Sequence, residues 1–138
     1  MPQNTEMVRG FYQAMAHGDI AAALGTFDPH IEWNEAENFL YSDGNPYVGP
    51  QAVLEGIFAR LGGEWEGFSA TPEQILDAGD TVVILGRYRG TFKATGASIN
   101  AQFVHVFTCK DGKIVRFQQY TDTAQFRDAV RRGTSANA

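Results

Sequence analysis

The first part of the chain carries apolar residues at helical spacing. Met7, Phe11 and Met15 recur every four residues, which predicts one apolar stripe along a helix. Gly18 is typical of the left-handed residue that ends a helix, and Asp19 is typical of the residue that caps the next one. The pattern therefore predicts that the chain opens with two helices.

A short strand and a third helix are predicted next. The segment Ile31-Glu32-Trp33 alternates apolar and polar residues, as a strand does. Pro50 suits the first position of a helix, because proline lacks only an N–H that would be unpaired there. We expect this helix to run from about Pro50 to Leu61, where Gly62 and Gly63 would stop it.

The pattern changes to long β runs between about Glu64 and Asp122. Three segments rich in turn-forming residues divide these runs, at residues 77–80, 94–97 and 109–113. Four strands joined by such short turns form an antiparallel meander, because parallel neighbours need much longer connections. Helices followed by a meander predict an α+β fold in a single domain over residues 1–132, with a disordered tail at 133–138.

Composition narrows the classes of function. The chain has 138 residues, a formal net charge of −5 and one cysteine. Scattered basic residues in an acidic chain do not favour nucleic acid as a partner, and no run of about 20 apolar residues suggests a membrane span. A lone cysteine and an N-terminus without signal-peptide character lead us to expect a cytoplasmic protein.

Aromatic residues are unusually frequent for a small domain. The chain has 10 Phe, 5 Tyr and 2 Trp. Two interpretations are open: dense packing of the core, or an aromatic-lined cavity for a small hydrophobic molecule.

Two of the predicted strands bring polar groups to an aromatic face. Phe103, His105 and Phe107 share one face of their strand, while Phe117 and Gln119 share a face of the next strand. His105 is the side chain on this face whose ordinary pKa is closest to neutrality, so it is a candidate base or hydrogen-bond donor. The alternative is a neutral histidine that belongs to the core.

Glu35 is the second candidate for acid–base chemistry. It follows the first predicted strand, where it is either a surface charge or a general base at the mouth of a pocket. Candidate ligand contacts are the aromatic residues and the amide expected near this pocket: Trp33, Phe58, Tyr88, Phe103, Phe107, Phe117 and Gln119. The spacing of the histidines and carboxylates does not match a metal site, and no glycine-rich segment matches a phosphate-binding loop, so neither a metal nor another cofactor is expected.

Two stretches resemble a known family. Residues 11–19, with the sequence FYQAMAHGD, and residues 103–117, with the sequence FVHVFTCKDGKIVRF, are similar to the nuclear-transport-factor-2-like superfamily and, within it, to the SnoaL-like and ketosteroid-isomerase-related proteins. The resemblance implies three to four helices packed against a strongly curved antiparallel sheet, with a hydrophobic pocket at the open end of the cone. It also implies a homodimer, for which Val82, Ile84, Val104 and Val106 would supply apolar surface on the outer face of the sheet.

The family's functional residues are only partly matched. The tyrosine that ketosteroid isomerases carry on the first helix corresponds to Phe11, and their aspartate base falls in the stretch Trp33-Asn34-Glu35. The pocket histidine of the polyketide cyclases corresponds to His105, but their acid–base aspartate corresponds to Gln119, which cannot transfer protons. Neither known route is therefore expected unchanged.

Two functions stay open at this point. The chain is either an enzyme of isomerase, cyclase, hydratase or dehydratase type that acts on a small oxygenated hydrophobic molecule, or a non-catalytic binding or carrier protein of the same fold. If it is an enzyme, His105 is expected to transfer the proton, Gln119 to position a substrate oxygen, and Glu35 to serve as a reserve base.

Overall fold

A computed structural model describes residues 2–136 of the chain, and the side chains of residues 3–131. Two helices open it, α1 at Pro2–Ala16 and α2 at Ile20–Leu24. Gly18 has a φ of +72°, and the Oδ1 atom of Asp19 accepts a hydrogen bond of 3.1 Å from the backbone N–H of Ala22. Both predicted signals at this helix junction are confirmed.

The third helix is longer than predicted. After strands β1 at Phe27–Asn34 and β2 at Tyr47–Val48, a helical stretch begins with α3 at Pro50–Val53, passes through a π turn at Leu54–Phe58 and ends with α4 at Ala59–Glu64. The two glycines expected to stop it have negative φ angles and remain helical. The helix ends instead where Trp65 enters an extended conformation and begins the next strand.

Four long strands form the predicted meander. They are β3 at Trp65–Ala78, β4 at Thr81–Phe92, β5 at Ser98–Lys110 and β6 at Lys113–Thr121. The sheet order is β2-β1-β6-β5-β4-β3, with β1 and β6 parallel and the remaining pairs antiparallel. Asp111 and Gly112 both have positive φ angles, the geometry of a tight turn that follows the twist of a hairpin. The α+β class and the antiparallel meander are confirmed.

On strand β4, the residues that face the inside of the sheet are not the ones that the sequence predicted. His105 and Phe107 on β5 are buried, as expected, and they pair across the sheet with Ile84 and Val82. Val82 and Ile84 are fully buried on this inner face, so placing them on the outer face was wrong. Paired residues of neighbouring strands point to the same side of a sheet. Val83 and Leu85 pair with Val106 and Val104, so they take the places on the outer face that were predicted for Val82 and Ile84.

A final helix, α5 at Thr123–Ala136, packs against the inside of the sheet. Asp122 accepts a hydrogen bond from the N–H of Gln125 and caps it, while Phe126 is fully buried. The predicted tail at 133–138 begins within α5, and its last two residues lie outside the described part of the chain. Within residues 2–136, no helix is long and apolar enough to cross a membrane.

Candidate functional site

A cavity of about 640 Å³ lies between the helices and the inner face of the sheet. Its walls are mainly apolar and aromatic, with Phe11 from α1, Phe58 and Leu61 from the third helix, and Trp33 and Phe117 from the sheet. Small residues of β3, among them Ala70, complete one side. A cavity of this volume and lining suits a small hydrophobic molecule.

Glu35 places a carboxyl group in this apolar cavity. The residue follows β1 directly, and the side-chain amide of Asn45 fixes its backbone through two hydrogen bonds of 2.9 Å, one to its N–H and one to its carbonyl. Its side chain is buried, its Oε2 atom accepts a 2.9 Å hydrogen bond from Nε1 of Trp33, and its Oε1 atom has no hydrogen-bond partner among the described residues. The interpretation of Glu35 as a surface charge is therefore wrong.

Burial makes the Glu35 carboxyl a group that titrates near neutrality. Desolvation raises its pKa from the ordinary 4.5 to about 8, and the Trp33 hydrogen bond and the charge of Arg60 oppose this to a smaller extent. At pH 7 the group is mostly a neutral acid with a minor ionised fraction, and these are the two forms that acid–base chemistry needs.

His105 is held between two tyrosines. Its Nδ1 atom lies 2.5 Å from the Tyr12 hydroxyl, and its Nε2 atom lies 2.5 Å from the Tyr88 hydroxyl. Burial lowers the pKa of His105 to about 3, so the ring is neutral at physiological pH. Both ring nitrogens are already used within the protein.

Gln119 joins this network to the segment that carries Glu35. Its Nε2 group donates a hydrogen bond of 2.9 Å to the Tyr88 hydroxyl, and its Oε1 atom accepts one of 3.0 Å from the backbone N–H of Ala36. Burial raises the pKa of Tyr88 well above its ordinary value, and the charge of Glu35 raises it further. The side chains of Tyr12, His105, Tyr88 and Gln119 form one polar patch in a cavity that is otherwise mainly apolar.

Most of the predicted site residues meet at the cavity. Its lining includes seven of them: Trp33, Glu35, Phe58, Tyr88, His105, Phe117 and Gln119. Phe103 and Phe107 are buried beside it, with Phe103 stacked on the His105 ring at a centroid distance of 4.0 Å. These two rings support His105 from within the core and do not border the cavity.

Tyr12 is the site residue that the sequence did not reveal. It lies beside the apolar stripe of α1, where a tyrosine is as easily explained by packing, and it directly follows Phe11, the position that the resemblance pointed to. Its nearly complete burial becomes explicable once its hydroxyl is seen to bond His105. As for metals, no cluster of three or more His, Cys, Asp or Glu side chains suited to an ion is found in the described part of the chain.

Comparisons with known proteins agree on one family. The sequence model of the SnoaL-like domain matches residues 8–117, whereas no curated protein matches the chain. An NTF2-like protein from Burkholderia thailandensis E264 is 36% identical, with a TM-score of 0.87 over 91% of this chain and 95% of that one.

Two further structures extend the comparison. TerC, co-crystallized with polyporic acid, is 26% identical, with a TM-score of 0.83 over 94% of this chain and 98% of its own. A putative SnoaL-like polyketide cyclase from Jannaschia sp. CCS1 is 19% identical, with a TM-score of 0.81 over 94% of this chain and 92% of its own, and it shows the fold alone.

Proposed function

The chain belongs to the SnoaL-like domain family, and from this premise we propose that it is an enzyme that exchanges a proton with a small, hydrophobic, oxygenated molecule in its cavity. Glu35 is the acid–base group. The reaction is of the isomerase, cyclase, hydratase or dehydratase type, in which a proton leaves or reaches carbon next to a polarised oxygen function. One observation carries the proposal: a carboxyl group with a pKa of about 8 lines an aromatic cavity, and one of its oxygen atoms has no hydrogen-bond partner among the residues that the structure describes.

The environment of Glu35 supports this role. Among the lining residues that the structure describes, it is the one carboxyl group, and its titration range is close to physiological pH. A desolvated carboxylate is a stronger base than one in water, because ionisation gains no hydration there. The ionised fraction therefore abstracts a proton readily, and the neutral fraction can return one.

His105 takes a different part in this proposal from the one that the sequence suggested. A second proton on its ring would place an uncompensated charge in the protein interior between two neutral tyrosines. Burial therefore lowers the pKa of His105 to about 3. In this proposal Glu35, and not His105, transfers the proton. His105 links the Tyr12 and Tyr88 hydroxyls through hydrogen bonds. Gln119 keeps a positioning role, although it acts on Tyr88 in this structure.

The cavity lining indicates the class of ligand. No lysine or arginine belongs to the lining among the described residues, so a charged anionic group would lack compensation. Aromatic walls favour a flat or cyclic hydrophobic molecule, while the Tyr88, Gln119 and Glu35 patch accommodates a neutral oxygen function. The co-crystal of TerC with polyporic acid supports an oxygenated ligand for a relative at 26% identity.

A binding or carrier protein without turnover is the second candidate. Its support is that both ring nitrogens of His105 are engaged in internal hydrogen bonds, which leaves Glu35 as the one group of the described cavity lining with acid–base capacity near pH 7. Such a protein would hold the same ligands but would not exchange their protons with solvent.

Deuterium exchange separates the two functions. The ketone 2-tetralone is small, aromatic and apolar, and carries exchangeable protons next to its carbonyl, so its deuteration in heavy water can be followed by NMR. We expect the protein to accelerate this exchange and Glu35→Gln to lower the rate by roughly 10²–10⁴-fold. The matched control is Glu32→Gln, because the Glu32 side chain is 46% exposed and pairs with Arg116 outside the cavity.

Each result has one interpretation. Acceleration that survives Glu35→Gln would contradict the role of Glu35. If the wild type binds 2-tetralone or polyporic acid but does not accelerate exchange, the carrier function replaces the enzymatic one.

A further inference from the structure

The hydrogens of the Tyr12, His105 and Tyr88 network can be counted. A neutral imidazole has one N–H donor and one unprotonated acceptor nitrogen. Both nitrogens of His105 face a tyrosine hydroxyl at 2.5 Å. One tyrosine must therefore donate its proton to the ring, while the other accepts the ring N–H and keeps its own proton for a different partner.

Gln119 adds a fixed donor to this count. The N–H of Ala36 donates to Oε1 of Gln119, so the amide is oriented with its NH₂ group towards Tyr88. The Tyr88 oxygen therefore accepts one hydrogen bond whichever nitrogen of His105 carries the proton.

In the tautomer with the proton on Nδ1, one donor is left unsatisfied. His105 then donates a hydrogen bond to the Tyr12 oxygen, and the Tyr88 hydroxyl donates one to Nε2. The Tyr12 hydroxyl would then keep its own proton without an acceptor, because His105 is its one hydrogen-bond partner among the described residues. A buried hydroxyl donor without an acceptor is costly.

In the tautomer with the proton on Nε2, one hydroxyl proton is again left over, but it belongs to Tyr88 instead of Tyr12. Tyr12 donates to Nδ1, and the Tyr88 oxygen accepts from both His105 and Gln119. Both tyrosines line the cavity, but the charge of Glu35 acts on Tyr88 and not on Tyr12, so the Tyr88 proton is left on the side of the cavity where the Glu35 carboxyl group lies. Two donors on one hydroxyl oxygen also make its own O–H a stronger donor, because hydrogen bonds in a chain polarise one another.

We propose that His105 is the Nε2–H tautomer and that the Tyr88 hydroxyl, on strand β4, is the donor that binds the oxygen of the ligand. Tyr12, His105 and Gln119 are positioning residues that act through Tyr88. This inference rests on the proposed function for its ligand and adds a requirement to it: the ligand carries a hydrogen-bond acceptor, such as a ketone or quinone oxygen, at Tyr88 and an exchangeable C–H bond within reach of Glu35.

Nitrogen NMR of the ligand-free protein tests the tautomer. In protein labelled with ¹⁵N-histidine, the protonated and unprotonated ring nitrogens have well-separated shifts. Of the three histidines, His105 is identified by its loss in His105→Gln. We expect the proton on Nε2 and no change of His105 between pH 5 and 8. A proton on Nδ1, or titration near pH 6.5, would overturn the proposal.

The infrared carbonyl band of bound fluorenone tests the donor. Fluorenone is a flat aromatic ketone, and its C=O stretch moves to lower frequency when the oxygen accepts a hydrogen bond. We expect this shift in the wild type, its loss in Tyr88→Phe together with a roughly 2- to 12-fold weaker binding, and a smaller shift in Tyr12→Phe. The control is Tyr120→Phe, which removes the same oxygen from an exposed site on β6.

The outcomes keep the two proposals distinguishable. A shift that survives Tyr88→Phe and disappears in Tyr12→Phe would make the α1 tyrosine the donor and overturn the inference. If fluorenone does not bind to the wild type at all, the ligand class of the proposed function fails, while the nitrogen shifts of His105 still decide the tautomer.

Discussion

Replacing Glu35 by glutamine should change how the stability of the protein depends on pH. The folded protein holds the Glu35 proton up to a pKa of about 8, whereas the unfolded chain releases it near the ordinary 4.5. Between these values the unfolded state binds fewer protons than the folded one, so the wild type loses stability as the pH rises. The linkage amounts to about 1.4 kcal/mol for each pH unit, on the order of 5 kcal/mol over the whole interval.

Glutamine keeps the oxygen that accepts from Trp33 but does not titrate. We therefore expect the free energy of unfolding of Glu35→Gln, relative to that of the wild type, to increase by about 1.4 kcal/mol per pH unit from pH 4.5 to 8. Above pH 8 the difference should stay constant. Urea denaturation at half-unit steps of pH measures the difference directly. A difference that is constant across this range would refute the assignment of a buried, protonated Glu35.

Three further predictions concern other parts of the molecule. Burial depresses the pKa of His105 from 6.5 to about 3, so between these pH values the unfolded chain binds a proton that the folded protein does not. The wild type should therefore lose stability as the pH falls through this range, and His105→Gln should lack that loss in acid denaturation. A Cβ atom on Gly86 would collide with the carbonyl of Thr71, so Gly86→Ala should lower the melting temperature sharply, whereas Gly10→Ala, which meets open space in α1, should raise stability by about 0.5–1 kcal/mol. We still predict a homodimer through the outer sheet face; sedimentation should show a dimer at micromolar concentration and a monomer for Val104→Asp, and a monomeric wild type would contradict it.

Local signals in the sequence were sufficient for much of the fold. The turn at Asp111 and Gly112 and the cap at Asp19 act through neighbouring backbone atoms, so a short window of sequence contains their cause. Alternation on β5 also gave the correct inner face for His105. The face of β4 could not be found in this way, because Val82 and Val83 are both apolar and only the pairing with β5 decides which of them turns inward.

The candidate site depended on contacts between distant segments. Glu35 is buried because Asn45, ten residues later, holds its backbone and because aromatic residues from several elements surround its carboxyl group. His105 is neutral because residues from distant parts of the chain bury it, among them Tyr12, which is 93 residues away in the chain and hydrogen-bonded to Nδ1. Residue types alone favour His105 over Glu35 as a base, whereas burial lowers the pKa of His105 and raises that of Glu35.

The pH dependence of 2-tetralone deuteration tests the central claim most directly. With the rate in Glu35→Gln subtracted as the solvent background, the remaining rate should rise with pH and level off with a midpoint of about 8, the pKa of Glu35. A remaining rate of zero, or a midpoint near the ordinary 4.5 of an exposed carboxyl group, would contradict the account.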